Sequence, residues 1–219
     1  MRRVLWLGAF AVAMACVEST VVVYLRAAYC PDGFGFPLVP VPRSVFPIET
    51  VRETATIVML LTVAALAARD RFESFLHFCF LFGVWDIFYY AWLLVFLGWP
   101  SSLLTWDVLF LIPLPWLGPV LAPVLVAAAL VTGSLLLLRV RGLGVPIEPP
   151  RWAWALQVVA GLTIIVSFVW DWRAVIEGRV PESFPWGIFA TGFGLGVAVF
   201  VVVYLRLPRK AMVLAEGHR

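Results

Sequence analysis

Charged side chains are scarce in this sequence: 13% of its 219 residues, against 63% hydrophobic, with a mean hydropathy of +1.00. A soluble domain needs more polar surface than that, so the composition indicates a polytopic helical membrane protein. The alternation of apolar and polar residues that marks a membrane barrel is also missing, because the apolar runs are continuous. Histidine occurs twice, as His77 and His218. Two such distant positions cannot supply both axial ligands of a haem within one chain, so haem is not expected. Cys16, Cys30 and Cys79 are widely separated, with no disulfide framework and no zinc-ligand spacing. P-loop, His-Glu-x-x-His, Gly-x-Ser-x-Gly and Cys-x-x-Cys patterns are all lacking. Lysine appears once, as Lys210, and the arginines sit between apolar runs. The formal net charge of +3 therefore carries no nucleic-acid signal.

What is present is a set of apolar runs long enough to cross a bilayer. They fall at about 4–25, 48–68, 75–97, 119–138, 152–171 and 186–205, giving an all-α, six-span transmembrane bundle in one integral membrane domain. The first run follows Met1-Arg2-Arg3 and contains Ala13-Met14-Ala15 before Cys16, which resembles a processing site. Its apolar character continues through Leu25, so a retained span is the favoured reading. Gly8, Ala11, Ala15, Glu18, Ser19 and Val22 recur at helical spacing and form a small-residue contact face carrying one carboxylate.

Arg26 to Pro47 is a loop, since Pro31, Pro37, Pro40, Pro42 and Pro47 preclude a helix. Its interleaved Phe, Leu and Val suit a cap folded back on the membrane surface. Between the third and fourth runs, Pro100 to Ile112 is too short to span before Pro113 and Pro115. A proline-broken interfacial or re-entrant segment is expected there, of the kind found at transporter binding sites. The sixth run carries Gly187, Thr191, Gly194 and Ala198, with Gly192 and Gly196 beside them, and suggests tight helix packing. The hexamer Val-Val-Val-Tyr-Leu-Arg at 21–26 and 201–206 ends spans of opposite direction and is no repeat.

Six spans put both termini on one side. Arg2, Arg3, Arg69, Arg71, Arg139, Arg141, Arg151, Arg206, Arg209, Lys210 and Arg219 fall on that side. Arg26, Arg43, Arg52, Arg173 and Arg179 fall opposite. The positive-inside rule then predicts a multi-pass cell (inner) membrane protein with both termini cytoplasmic.

The chemistry concentrates around Asp86, central in the third run, with Tyr89 and Tyr90 at i+3 and i+4 on its own face. A carboxylate at the bilayer centre costs roughly 2.5–3.5 kcal/mol, so it is expected to face protein groups or water. Glu18, Glu53, Asp107 and Asp171 lie at that depth or further toward the external side. Asp86, Asp107 and Asp171 each follow a tryptophan, which suggests an aromatic wall or belt. The expected site is a pocket between the first five spans, lined by Glu18, Glu53, Asp86, Tyr89, Tyr90, Asp107 and Ser167. Asp107 and Asp171 also read as solvated interfacial groups. Arg26 or Arg52 could satisfy Glu18 or Asp86 as structural ion pairs. His77 reads as a structural hydrogen-bonder.

In size and six-span layout the chain resembles the substrate-binding subunits of energy-coupling-factor vitamin transporters, a likeness of architecture with no shared motif. Small-ligand or ion binding and transport is the first functional expectation. An intramembrane enzyme using paired carboxylates is the alternative, as is an accessory or anchoring subunit with partner membrane chains.

Overall fold

A computed structural model describes residues 2–29, 45–112, 114–177, 179 and 183–207. Cys30, most of the proline-rich loop, Pro113 and His218 lie outside the described residues. Among those described are six helices long and apolar enough to cross a membrane. They are α1 (Arg2–Tyr29), α2 (Val45–Ala67), α3 (Arg71–Leu97), α4 (Leu121–Gly142), α5 (Arg151–Val169) and α7 (Trp186–Leu205). A short helix α6 (Arg173–Glu177) and two strands, β1 (Trp106–Phe110) and β2 (Trp116–Pro119), complete the described elements.

The centre of the bundle is α3, which packs on α1, α2 and α4. Its 27 residues reach about 40 Å, more than the hydrocarbon core of roughly 30 Å. Its ends are set by local chemistry. The Asp70 side chain accepts the Glu73 N–H at 2.9 Å, an N-cap that satisfies one orphan donor. At the other end Gly98 adopts φ 63° and donates its N–H to Leu94 O, a left-handed stop open to glycine.

Small residues decide which helices come close. A Cβ on Gly83 would lie 2.6 Å from Ala127 O, so this glycine lets α3 and α4 approach backbone to backbone. On α1, Ala11, Ala15, Glu18 and Ser19 are buried against the bundle. Ser19 Oγ donates to Ala15 O and Tyr89 O, and Trp92 Nε1 donates to Val12 O, fastening α1 to α3. On α7 the small residues divide: Gly192 and Gly196 meet α5 at Ala160, Ile164 and Gln157, whereas Gly187 and Gly194 have open space around them. Tight packing therefore belongs to the 192–196 pair and does not extend to the stripe beside it.

The stretch after α3 is not a broken helix. Strands β1 and β2 pair antiparallel, with Asp107 opposite Gly118 and an irregularity between Val108 and Phe110. The aromatic and β-branched residues Trp106, Val108, Phe110 and Trp116 favour this pleated form. A hairpin also pairs backbone groups that a proline-interrupted helix would leave open. Val120 N–H donates to Thr105 O and Leu121 N–H to Leu103 O, which continue the pairing into the start of α4. That helix begins two residues later than the sequence suggests and ends at Gly142.

Helices α5 and α7 pair mainly with each other. They join the remainder through Trp116, which stacks on Phe168 at 5.9 Å, and through the Phe168, Phe184 and Phe189 cluster. Asp70 pairs with Arg141, and Arg3 Nη1 donates to Ala67 O, so the starts of α1 and α3 and the ends of α2 and α4 share one end of the bundle. The hairpin sits with the opposite helix ends.

Candidate functional site

Ionisable residues from α1, α2, α3 and β1 meet at the hairpin end. Glu18, buried on α1, accepts from Arg52 Nη1 on one carboxylate oxygen and from Thr56 Oγ1 on the other. Arg52 Nε also donates to Glu49 Oε2 at 2.8 Å. This polar network joins α1 to α2, which otherwise meet sparsely. Glu53, one turn from Glu49, accepts the backbone N–H of Leu111 at 2.9 Å and ties α2 to the hairpin. That amide follows β1 and has left the strand pairing, so the carboxylate satisfies a donor the hairpin leaves over.

Asp107 is 1% exposed. Arg26 Nη2 lies 3.7 Å from its Oδ1, and the Arg26 guanidinium sits 3.9 Å from the centre of the Trp99 ring. The Tyr90 hydroxyl stands beside the same carboxyl. Asp107 Oδ2 has no hydrogen-bond partner among the described residues. Burial pushes the Asp107 carboxyl up to about 6, while Arg26, the Val108 N–H and the Tyr90 hydroxyl hold it down.

Asp86 differs from the other acids. Among the described residues it makes no hydrogen bond or ion pair, and it lies near enough to Asp107 to feel that charge. Although it sits midway along α3, it is half-buried and keeps some accessible surface. Tyr89 falls within the fields of Arg26, Arg52, Asp86 and Asp107 together. Its ring lies 5.1 Å from Tyr90 and 6.3 Å from Trp85. Behind these rings, Trp85 and Trp116 both flank Phe110, at 6.1 and 5.7 Å. Both indole Nε1 groups are buried without a hydrogen-bond partner among the described residues.

Six of the seven sequence-derived residues, Glu18, Glu53, Asp86, Tyr89, Tyr90 and Asp107, therefore gather at the hairpin end. Ser167 does not join them: its hydroxyl donates to Ile164 O within α5, beside the aromatic cluster. Asp171 pairs with Arg179 at 3.7 Å beyond α5, and Trp170 is 62% exposed, so the third Trp-Asp pair lies outside the group. Of the anticipated ion pairs, Arg52 meets Glu18, whereas Arg26 meets Asp107 instead of Glu18 or Asp86. The Thr56 hydroxyl on Glu18, the Leu111 N–H on Glu53 and Trp99 beneath Arg26 escaped the sequence reading.

A second ionic group occupies the opposite end. Glu73 takes the Arg69 side chain at 2.8 Å and the Arg69 N–H at 3.1 Å, with Arg3 3.8 Å and His77 4.0 Å away. His77 is buried beneath it, and this group binds helix ends together.

No set of three His, Cys, Asp or Glu side chains suited to a metal ion occurs among the described residues. No family model, curated protein or solved structure matches this chain.

Proposed function

We propose that the hairpin-end cluster binds a small cation, and that the protein is a multi-pass membrane protein that carries or senses that cation. The observation that supports this is Asp86, a mid-span carboxylate with no ion pair among the described residues, near enough to Asp107 to feel its charge. Among the described residues around it, Glu18, Glu49, Glu53 and Asp107 stand against Arg26 and Arg52, an excess of acid before Asp86 is counted. Uncompensated negative charge in a low-dielectric interior is costly, and a bound cation offsets it. The aromatic rings of Tyr89, Tyr90 and Trp85 favour a cation further through their π faces.

In this reading the cation enters from the end opposite the chain termini, which the arginine distribution assigns to the extracytoplasmic side of the cell membrane. Glu18–Arg52 and Arg26–Asp107 hold the helices and the hairpin, while Asp86 receives the cargo. Uptake of monovalent cations and small organic ammonium ions into liposomes tests it. Asp86→Asn should abolish uptake of whichever cation the wild type admits. Wild-type uptake by both Asp86→Asn and Asp107→Asn would remove the proposed site.

One observation favours a second reading, an intramembrane enzyme using paired carboxylates. Asp107 near 6, beside a second carboxylate, is poised for proton transfer around neutral pH. Turnover without net cation movement in the same liposomes would favour it.

A further inference from the structure

At the arginine-rich end, away from the proposed cation site, a cavity of about 350 Å³ opens between the start of α3, the end of α4 and the loop into α5. Its polar lining comes from Arg69, Asp70, Arg141 and Glu148, two cations and two anions. Ile147 is buried among Leu76, Leu137 and Val140 and gives the cavity an apolar floor.

The charges are only partly used. Arg69 spends its Nε on Glu73, and Asp70 caps α3 with one oxygen while pairing with Arg141 through the other. Arg141 Nε is buried with no hydrogen-bond partner among the described residues, a donor that burial should not leave open. Glu148 is exposed at the rim.

The cavity lies beside aromatic side chains of the kind that mark the headgroup region. Trp154, 38% exposed, packs on Phe72 and Phe75 at 6.1 and 5.1 Å. Arg141 lies 5.6 Å from the Phe72 ring, and the partly exposed Trp152 lies 5.5 Å from Arg206. Basic pockets between spans at this depth suit phospholipid headgroups.

We propose that this cavity binds a phospholipid headgroup carrying both a phosphate and a primary ammonium, as in phosphatidylethanolamine. The phosphate would take the Arg141 guanidinium with Arg69 beside it, and the ammonium would donate to Glu148 and Asp70. A purely anionic headgroup would meet the two carboxylates unfavourably. A quaternary ammonium has no N–H to give them, so choline should be the poorer fit. The apolar floor and neighbouring aromatic rings accommodate the glycerol and upper acyl chains.

The test is native mass spectrometry of the full chain after exchange against vesicles of equal phosphatidylethanolamine, phosphatidylcholine and phosphatidylglycerol. The wild type should retain the ethanolamine lipid preferentially. Arg141→Gln should lower that retention roughly tenfold, the size expected for losing one charged hydrogen-bond partner. Glu148→Gln removes an exposed group and should leave thermal stability unchanged while erasing the preference for ethanolamine over choline. Should Arg141→Gln fail to fold, the Glu148→Gln selectivity decides. Retention in the supplied proportions by the wild type, or unchanged selectivity in Glu148→Gln, overturns the proposal. Equal competition by soluble glycerophosphoethanolamine assigns the site to a soluble phosphate ester and overturns the lipid assignment.

Discussion

Arg26 Nη2 lies 3.7 Å from Asp107 Oδ1, and both side chains are buried where α1 meets the hairpin. The pair is longer than a hydrogen bond, so Arg26 acts on Asp107 through attraction between the charges rather than a shared proton. Burial raises the carboxyl to about 6 despite the guanidinium, and removing Arg26 should raise it further. The acid is protonated more readily folded than unfolded. Its contribution to stability is therefore fully present below the ordinary value of 3.8 and is lost as pH rises through about 6. Thermal unfolding in detergent should show this slope, on the order of 1–3 kcal/mol between pH 4 and 7, and it should be steeper in the wild type than in Asp107→Asn. In Arg26→Gln the fluorescence titration of neighbouring Trp99 and Trp106 should move to higher pH. An unmoved titration would contradict the pairing.

The Glu18–Arg52 pair gives a second prediction. Glu18→Ala leaves the guanidinium with Glu49 alone and takes the acceptor from Thr56. Loss of one partner of a buried pair costs about 3–5 kcal/mol. Because Arg52 is 24% exposed and keeps Glu49, about 1–3 kcal/mol is expected here. Melting temperatures of Glu18→Ala and Thr56→Val, with the second the milder, check the order.

Glycine contacts supply a third. Gly192→Ala would bring a Cβ to 2.9 Å from Ala160 O, and Gly83→Ala to 2.6 Å from Ala127 O. Each should lose about 1–3 kcal/mol by overpacking. Gly194→Ala, with open space around it, should stay within about 0.5 kcal/mol of wild type. Equal losses at Gly192 and Gly194 would place the α5–α7 contact on the wrong face.

Orientation is tested by cysteine labelling. Cys79 is buried and Cys16 half-buried in their helices. With cytoplasmic termini, Cys30 should react with an impermeant maleimide in intact cells while Cys16 and Cys79 stay protected. Labelling of Cys30 only after permeabilisation would reverse the orientation.

Much of this architecture was legible because bilayer spans announce themselves by length and apolarity, and six such helices stand close to the expected boundaries. The small-residue face of α1 also reads directly from Ala11, Ala15 and Ser19. The hairpin was not legible. Prolines after Ile112 fit a broken helix as readily as a turn between strands, and the pairing of Asp107 with Gly118 is a non-local fact. Periodicity gathered Asp86, Tyr89 and Tyr90 on one helix, but their company with Asp107 depends on where that hairpin lands. Ser167 shows the limit in the other direction. It is buried on α5, yet its hydroxyl is satisfied by its own helix at Ile164 O.

If Asp86 holds a cation, the purified protein should bind that cation at equilibrium. Titrating monovalent and small ammonium cations while following intrinsic tryptophan fluorescence should give a saturable response in the wild type. Asp86→Asn should fold with the same melting profile and lose that response. A saturable response of equal affinity in Asp86→Asn, or none in the wild type with any of these cations, would rule out a cation held by Asp86.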